Sequence, residues 1–236
     1  MTEHIQSGLG LTALILAALS LKLMFRYYKL MGQNMAKQSQ FANGADEERA
    51  IKNYKLAREL MRRDEFQGAF NYLKAAEGFL TDSGLPNMTL LSSILAQQSI
   101  CIFRAGIGRA PDRDSLATAE RACNLAYLSQ NDRTILDARF ARACILNGIG
   151  ASERAEEELL QCLNLSQAVF GQTSVQEGRI LLNLGQVKQE QGNRQEALSL
   201  YRQAASILAA RTGKHSQETK TAEAYQALLL KRLPPA

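Results

Sequence analysis

With 236 residues, 46% of them hydrophobic, the chain is long enough for one medium-sized domain and an appended segment. It contains no tryptophan and only four prolines, and alanine, leucine, glutamine, glutamate and arginine are frequent, so we expect an all-α fold. Of the net charge of +5, residues 1–45 carry +3 and the rest of the chain only +2, which argues against a nucleic-acid-binding domain.

The first predicted element is an apolar stretch over residues 7–25 with a single charged residue near its end. A helix of this length measures about 28 Å, close to the thickness of the bilayer core. Two tyrosines follow at the depth of the membrane interface. The pattern predicts a transmembrane anchor at 7–25, a short N-terminal tail at 1–6 and a polar juxtamembrane connector at 26–45.

The basic residues next to this segment all lie on its C-terminal side, which predicts that the following domain stays on the cytosolic, non-translocated side. A cleaved signal peptide would begin with basic residues, and residues 1–6 have none. A matrix-targeting presequence would be rich in arginine, but the first arginine is Arg26. A buried first helix of the domain is the remaining alternative, although residues 8–19 offer only Thr12 for a polar face.

Small residues recur at an offset of 42 positions in the last third of the chain. Ala143, Gly185 and Ala227 form one such series. The other members are Gly150 and Gly192, Ala155 and Ala197, Cys162 and Ala204, Gly171 and Gly213, with Leu159 and Tyr201 in the same register. Antiparallel helices that touch closely require side chains no larger than alanine, and a sharp turn between them favours glycine. The pattern therefore predicts stacked pairs of helices.

Residues 183–208 resemble the tetratricopeptide repeat (TPR). Gly185 occupies the small site of the first helix and Gly192 the turn; Ala197, Tyr201 and Ala204 occupy the small and aromatic sites of the second. The 42-residue offset is similar to the longer repeat variant of kinesin light chains. The resemblance implies a TPR-like α-solenoid.

Three further units resemble this repeat to different degrees. Residues 141–162 follow the same order, and residues 56–80 fit with Asp64 or Glu65 in the turn where glycine is usual. Between them only a second helix fits, because the stretch 106–114 displaces the first helix at about 87–105. The resemblance implies about four helix pairs and a capping helix at 218–233, within a repeat domain that spans 46–236.

The resemblance also implies a concave groove, lined by the first helix of each pair, that holds a peptide or a helix of a partner. The residues implied to face this groove are Tyr54, Arg58, Arg139, Arg179, Asn183 and Gln186. Asn183 stands where the kinesin-light-chain type often carries an asparagine that binds a peptide backbone; a local hydrogen bond is the alternative. Tyr54 and Phe140 stand where clamp residues for chaperone tails would be expected, so we do not expect such tails to bind.

The sequence offers few residues for catalysis. His4 and His215 have no partner at metal-ligand spacing, and residues 106–112 lack the phosphate-loop patterns. Four cysteines among apolar residues of predicted helices are expected to be buried and reduced, namely Cys101, Cys123, Cys144 and Cys162. An enzyme would need a polar pocket with a titratable pair, for which we find no residues. We expect no enzyme activity, no cofactor, no small-molecule substrate and no nucleic acid.

Together these features predict a membrane-anchored adaptor, scaffold or assembly factor that binds a protein or peptide partner. The alternative is a structural subunit of a large membrane protein complex, with a permanent rather than an exchanging partner. Mitochondrial outer-membrane receptors with N-terminal anchors and some bacterial inner-membrane repeat proteins have this layout.

Overall fold

The computed structural model describes residues 44–82 and 87–231. Contacts within the chain divide it into two units, residues 1–48 and 49–236. The described residues of the first unit, 44–48, are helical. The second unit contains the repeats.

The predicted anchor at 7–25 and the N-terminal tail lie outside the described residues, as does most of the connector. Within the part of the chain that the structure describes, no helix combines the length and the apolar character needed to cross a bilayer. The anchor and the orientation of the domain therefore stay predictions.

The described part of the second unit consists of nine helices and the turns between them, without a strand. The helices are α1 (49–62), α2 (Phe66–Asp82), α3 (Met88–Ala105), α4 (Pro111–Ser129), α5 (Asp132–Gly148), α6 (Ser152–Phe170), α7 (Val175–Glu190), α8 (Arg194–Thr212) and α9 (Gln217–Lys231). This confirms the all-α prediction of four helix pairs followed by a terminal helix.

Each helix from α2 onward packs against the next one in the chain, as in a solenoid. In addition, α3 packs against α5, and α5 touches α7, whereas the even-numbered helices make at most marginal contacts with one another. Helices on the inside of a bend lie closer together than those on the outside. The odd-numbered helices therefore line the inner, concave side.

The small residues of the 42-residue pattern lie where helices touch. Five of them are fully buried, namely Ala143, Ala155, Cys162, Ala197 and Ala204. At Gly185, an added Cβ atom would lie 2.5 Å from Cε1 of Tyr201, so any larger residue would have to displace the ring. Ala227 is different because it is exposed on α9, and the described chain has no following helix to cover it.

The turns inside the pairs require a left-handed backbone. Gly150 and Gly192 have φ values of +81° and +85°, as expected for glycine in these turns. In the first pair the equivalent left-handed residue is Asp64, with φ of +60°. Of the two residues that the sequence left open for this turn, Asp64 is therefore the one that replaces glycine.

The second pair is complete, although its sequence departs from the repeat pattern. The side chain of Asn87 caps α3 by accepting a hydrogen bond of 3.0 Å from the Leu90 N–H. Pro111 stands at the first position of α4, where its missing N–H costs little. Ser92 of α3 donates a 2.8 Å hydrogen bond to the Ala122 carbonyl of α4. Residues 106–110 form the turn between these helices, which is longer than the turns at 149–151 and 191–193.

The terminal helix α9 covers the apolar face of α8. Ala222 packs in a cluster with Ala204 and Leu208, and Leu229 packs with Tyr201. The helix is described to Lys231, so the predicted end at residue 233 lies outside the described residues.

Candidate peptide-binding groove

Three adjoining cavities lie along the odd-numbered helices. The first, the basic cavity, measures about 400 Å³ and lies between the beginnings of α5 and α7. The second, the middle cavity, measures about 240 Å³ and lies between α5, α7 and α9. The third, the large cavity, measures about 520 Å³ and extends from α9 to α3 and the start of α2. The first two share Arg179, and the last two share Cys144, Asn183 and Thr221. The cavities thus form one continuous groove.

Asn183 lies at the junction of the middle and large cavities. Its Nδ2 donates a hydrogen bond of 2.9 Å to the carbonyl oxygen of Arg179, one turn earlier in α7. Its Oδ1 accepts a weak hydrogen bond of 3.5 Å from the thiol of Cys144. The local hydrogen bond considered as an alternative role is therefore present. Since an amide nitrogen carries two N–H groups, one of them can still donate to a ligand.

Two other predicted residues also line the groove. Arg179 borders the basic and middle cavities, and Gln186 borders the large cavity. The guanidinium of Arg179 is partly neutralised, because its Nε lies 3.0 Å from Oε1 of Glu218 on α9. This ion pair is about half exposed to solvent and joins two odd-numbered helices across the groove.

Tyr54 and Arg58 belong to α1, where the guanidinium of Arg58 lies 5.9 Å from the centre of the Tyr54 ring. Both act electrostatically with Asp137 of α5. The pKa of Tyr54 lies above its ordinary value, mainly because the side chain is buried. The charge of Arg58 opposes this rise, and the charge of Asp137 adds to it. Asp137 is accessible to water, yet the surrounding protein raises the pKa of its carboxyl. Three guanidinium groups oppose this rise, those of Arg133, Arg179 and Arg58.

Arg139 lies elsewhere. Its Nε donates a hydrogen bond of 3.1 Å to Glu158 of α6, and its side chain is only 14% exposed. Arg142 also contacts Glu158, with an N–O distance of 2.6 Å. Arg139 lines none of the three cavities. It instead holds α5 against α6, so we leave it out of the groove.

Sequence reasoning missed several groove residues for which a signal was available. The offset of 42 residues leads from Arg179 forward to Thr221, which lines the middle and large cavities. The same offset leads from Gln186 back to Cys144. The α3 side chains of the large cavity had no such signal, because the second pair does not follow the offset.

The thiols in this region are poor nucleophiles. All four cysteines are free; Cys144 is partly accessible, and the others are buried, as predicted. Burial raises the pKa of the Cys144 thiol to about 12, so the reactive thiolate is scarce at neutral pH.

His215 is exposed in the turn before α9, and His4 lies outside the described residues. Among the described residues, no cluster of three or more histidine, cysteine or acidic side chains could hold a metal ion.

The helix pairs, the buried small residues and the glycine turns agree with one known family. Residues 141–210 match the model of the tetratricopeptide repeat family. This segment consists of tetratricopeptide repeats. Among curated proteins, none matches the chain in sequence.

Solved TPR-like structures share the fold of the chain. The Rap protein complexed with Competence and Sporulation Factor is 16% identical, with a TM-score of 0.67 over 78% of this chain. This chain spans only 49% of that protein. BtubC (BKLC) from P. vanneervenii is 14% identical, with a TM-score of 0.59 over 82% of this chain and 83% of its own.

A third structure contains nearly identical TPR-like repeats of a kinesin light chain from Podosopora anserina. It is 16% identical, with a TM-score of 0.57 over 78% of this chain and 86% of its own. At these identities the three structures establish the fold alone.

Proposed function

We propose that the chain binds an extended segment of a partner protein in the groove formed by α5, α7 and α9. The observation that carries this proposal is the continuity of the middle and large cavities through Cys144, Asn183 and Thr221. Apolar walls with a few polar groups suit a peptide, because side chains bury apolar area while the backbone finds hydrogen-bond partners.

The walls of the middle cavity illustrate this division of roles. Phe140 and Leu182 supply apolar surface. Asn183 offers an N–H donor, and the Thr221 hydroxyl, which donates to the Gln217 carbonyl at 2.8 Å, still offers acceptor lone pairs. The TPR fold supports the same role, since solenoids bind partners on their concave surfaces. The structurally similar Rap protein was solved with a bound factor.

The N-terminal sequence adds a location to this proposal. A helix at residues 7–25 would tether the repeats to a membrane, with the domain on the non-translocated side. Tethering raises the effective concentration of the groove for partners in or near that membrane. The chain would then act as a membrane-bound adaptor or assembly factor, and we assign no reaction to it.

The groove can be tested with peptides selected from a random display library against the full chain in detergent. Thr221→Trp places an indole between the middle and large cavities and should weaken the selected peptides at least about tenfold. Arg202→Trp, at an exposed position of the outer helix α8, is the matched control and should leave their affinity unchanged. Equal affinity of the Thr221→Trp variant and the wild type would refute binding in the groove.

A further inference from the structure

The basic cavity has an unusual set of charges. Its walls include three guanidinium groups, those of Arg133 on α5, Arg179 on α7 and Arg211 on α8, together with the aromatic ring of Phe170. Among the described residues that line it, none carries a carboxylate. Like charges gathered around a cavity of about 400 Å³ repel one another unless an anion lies between them.

Two of these arginines are held in place by uncharged groups. The guanidinium carbon of Arg133 lies 4.9 Å from the centre of the Phe170 ring. Arg211 donates from Nε to the Thr173 carbonyl at 2.8 Å, and from Nη2 to the Thr173 hydroxyl at 3.0 Å. The ion pairs found among the described residues involve other arginines. Within residues 44–82 and 87–231, no carboxylate therefore lies within 4.0 Å of the guanidinium nitrogens of Arg133 or Arg211.

The neighbouring acidic groups are turned to other partners. Glu218 contacts Arg179. Glu177, on the first turn of α7, is buried and accepts hydrogen bonds from the Thr173 N–H and from the Gln167 amide. Asp137 acts on Arg133 and Arg179 from outside the cavity walls. The walls themselves are left positive.

We propose that the basic cavity binds an oxyanion-bearing side chain of the partner segment. Guanidinium groups suit this task because their planar N–H donors match the oxygens of a carboxylate or a phosphate. Arg179 joins this cavity to the apolar middle cavity, so the anionic side chain would lie beside apolar side chains of the same segment. This inference rests on the proposed function and narrows its partner class to acidic or phosphorylated segments.

The probe is fluorescein-labelled hexaglutamate, titrated with the full chain in detergent at low ionic strength and followed by fluorescence anisotropy. Arg133→Gln and Arg211→Gln should each weaken binding about tenfold, the loss expected for one charge-assisted hydrogen bond. The exposed Arg202→Gln on α8 removes the same charge away from the cavity and should change the affinity less than about twofold.

Equal weakening by Arg133→Gln and Arg202→Gln would mean diffuse attraction and would overturn the proposal, as would a failure of hexaglutamate to bind. Displacement of the probe by inorganic phosphate, but not by acetate, would identify phosphate as the preferred oxyanion; the reverse would identify a carboxylate. Because hexaglutamate has no apolar side chain, its binding tests the basic cavity, whereas the effect of Thr221→Trp on the display-selected peptides tests the apolar groove. The anion site and the apolar groove can therefore fail separately.

Discussion

The contact between Gly185 of α7 and Tyr201 of α8 makes the sharpest test of the repeat geometry. An added Cβ atom at Gly185 would lie 2.5 Å from Cε1 and 2.6 Å from Cδ1 of the ring. The ring is fully buried, stacks on Tyr225 with centroids 5.5 Å apart, and donates a 3.1 Å hydrogen bond to Gln189. It cannot move away without losing these contacts.

Gly185→Ala should therefore destabilise the fold. Overpacking costs about 1–3 kcal/mol, and alanine returns about 1 kcal/mol through its higher helix propensity. We expect a net loss of up to about 2 kcal/mol in the free energy of unfolding, measured by denaturant unfolding followed by circular dichroism. Gly78→Ala in α2 is the control, because nothing lies within 4 Å of its added Cβ. It should stabilise the fold by about 0.5–1 kcal/mol.

A double-mutant cycle with Tyr201→Leu separates steric conflict from other effects. The shorter side chain lowers stability by itself, but in its presence Gly185→Ala should be neutral or stabilising. If Gly185→Ala stabilises the fold as much as Gly78→Ala does, the close approach of α7 and α8 is wrong.

Three further predictions concern other parts of the chain. Asp64→Gly relieves the left-handed backbone at φ of +60° and should raise the free energy of unfolding by up to about 1 kcal/mol; a loss in denaturant unfolding would contradict this. Burial alone would raise the pKa of Glu158, but the Arg139 hydrogen bond and the charges of Arg142 and Arg139 hold it below 4.5. Its ionised form thus stabilises the fold above pH 4.5, and this contribution is lost as the pH falls further through the lowered pKa. Glu158→Gln should cost about 1–3 kcal/mol at neutral pH and weaken the acid dependence of unfolding, whereas an unchanged acid profile would speak against it. Carbonate extraction should leave the full chain in the membrane pellet and release a variant lacking residues 7–25; the full chain in the supernatant would exclude the anchor.

The sequence was sufficient to predict the fold because the steric requirement of helix contacts appears directly in residue size. Gly185, Ala197 and Ala204 lie at a constant offset from their counterparts, and they are buried at the predicted contacts. Ala227 has the same offset but is exposed, because no described helix packs on that face of α9. The residue pattern alone does not distinguish a covered face from an uncovered one. The second pair lacked the pattern, and its turn at 106–110 is longer than the turns inside the other pairs.

The groove was harder to predict, because each residue along a helix changes the direction of the side chain by about 100°. Arg139 and Phe140 are neighbours in α5, yet Phe140 lines the middle cavity whereas Arg139 contacts Glu158 of α6. The basic cavity had no local signal at all. Arg133, Arg179 and Arg211 come from three helices, and only the stacking of the repeats brings them together.

The most direct test of the groove is a crystal structure of the chain with one of the display-selected peptides. We expect the peptide to lie across α5, α7 and α9, with its backbone within hydrogen-bond distance of Asn183 and a side chain in the middle cavity. A peptide bound on the outer helices α4, α6 and α8, with the middle cavity empty, would contradict it.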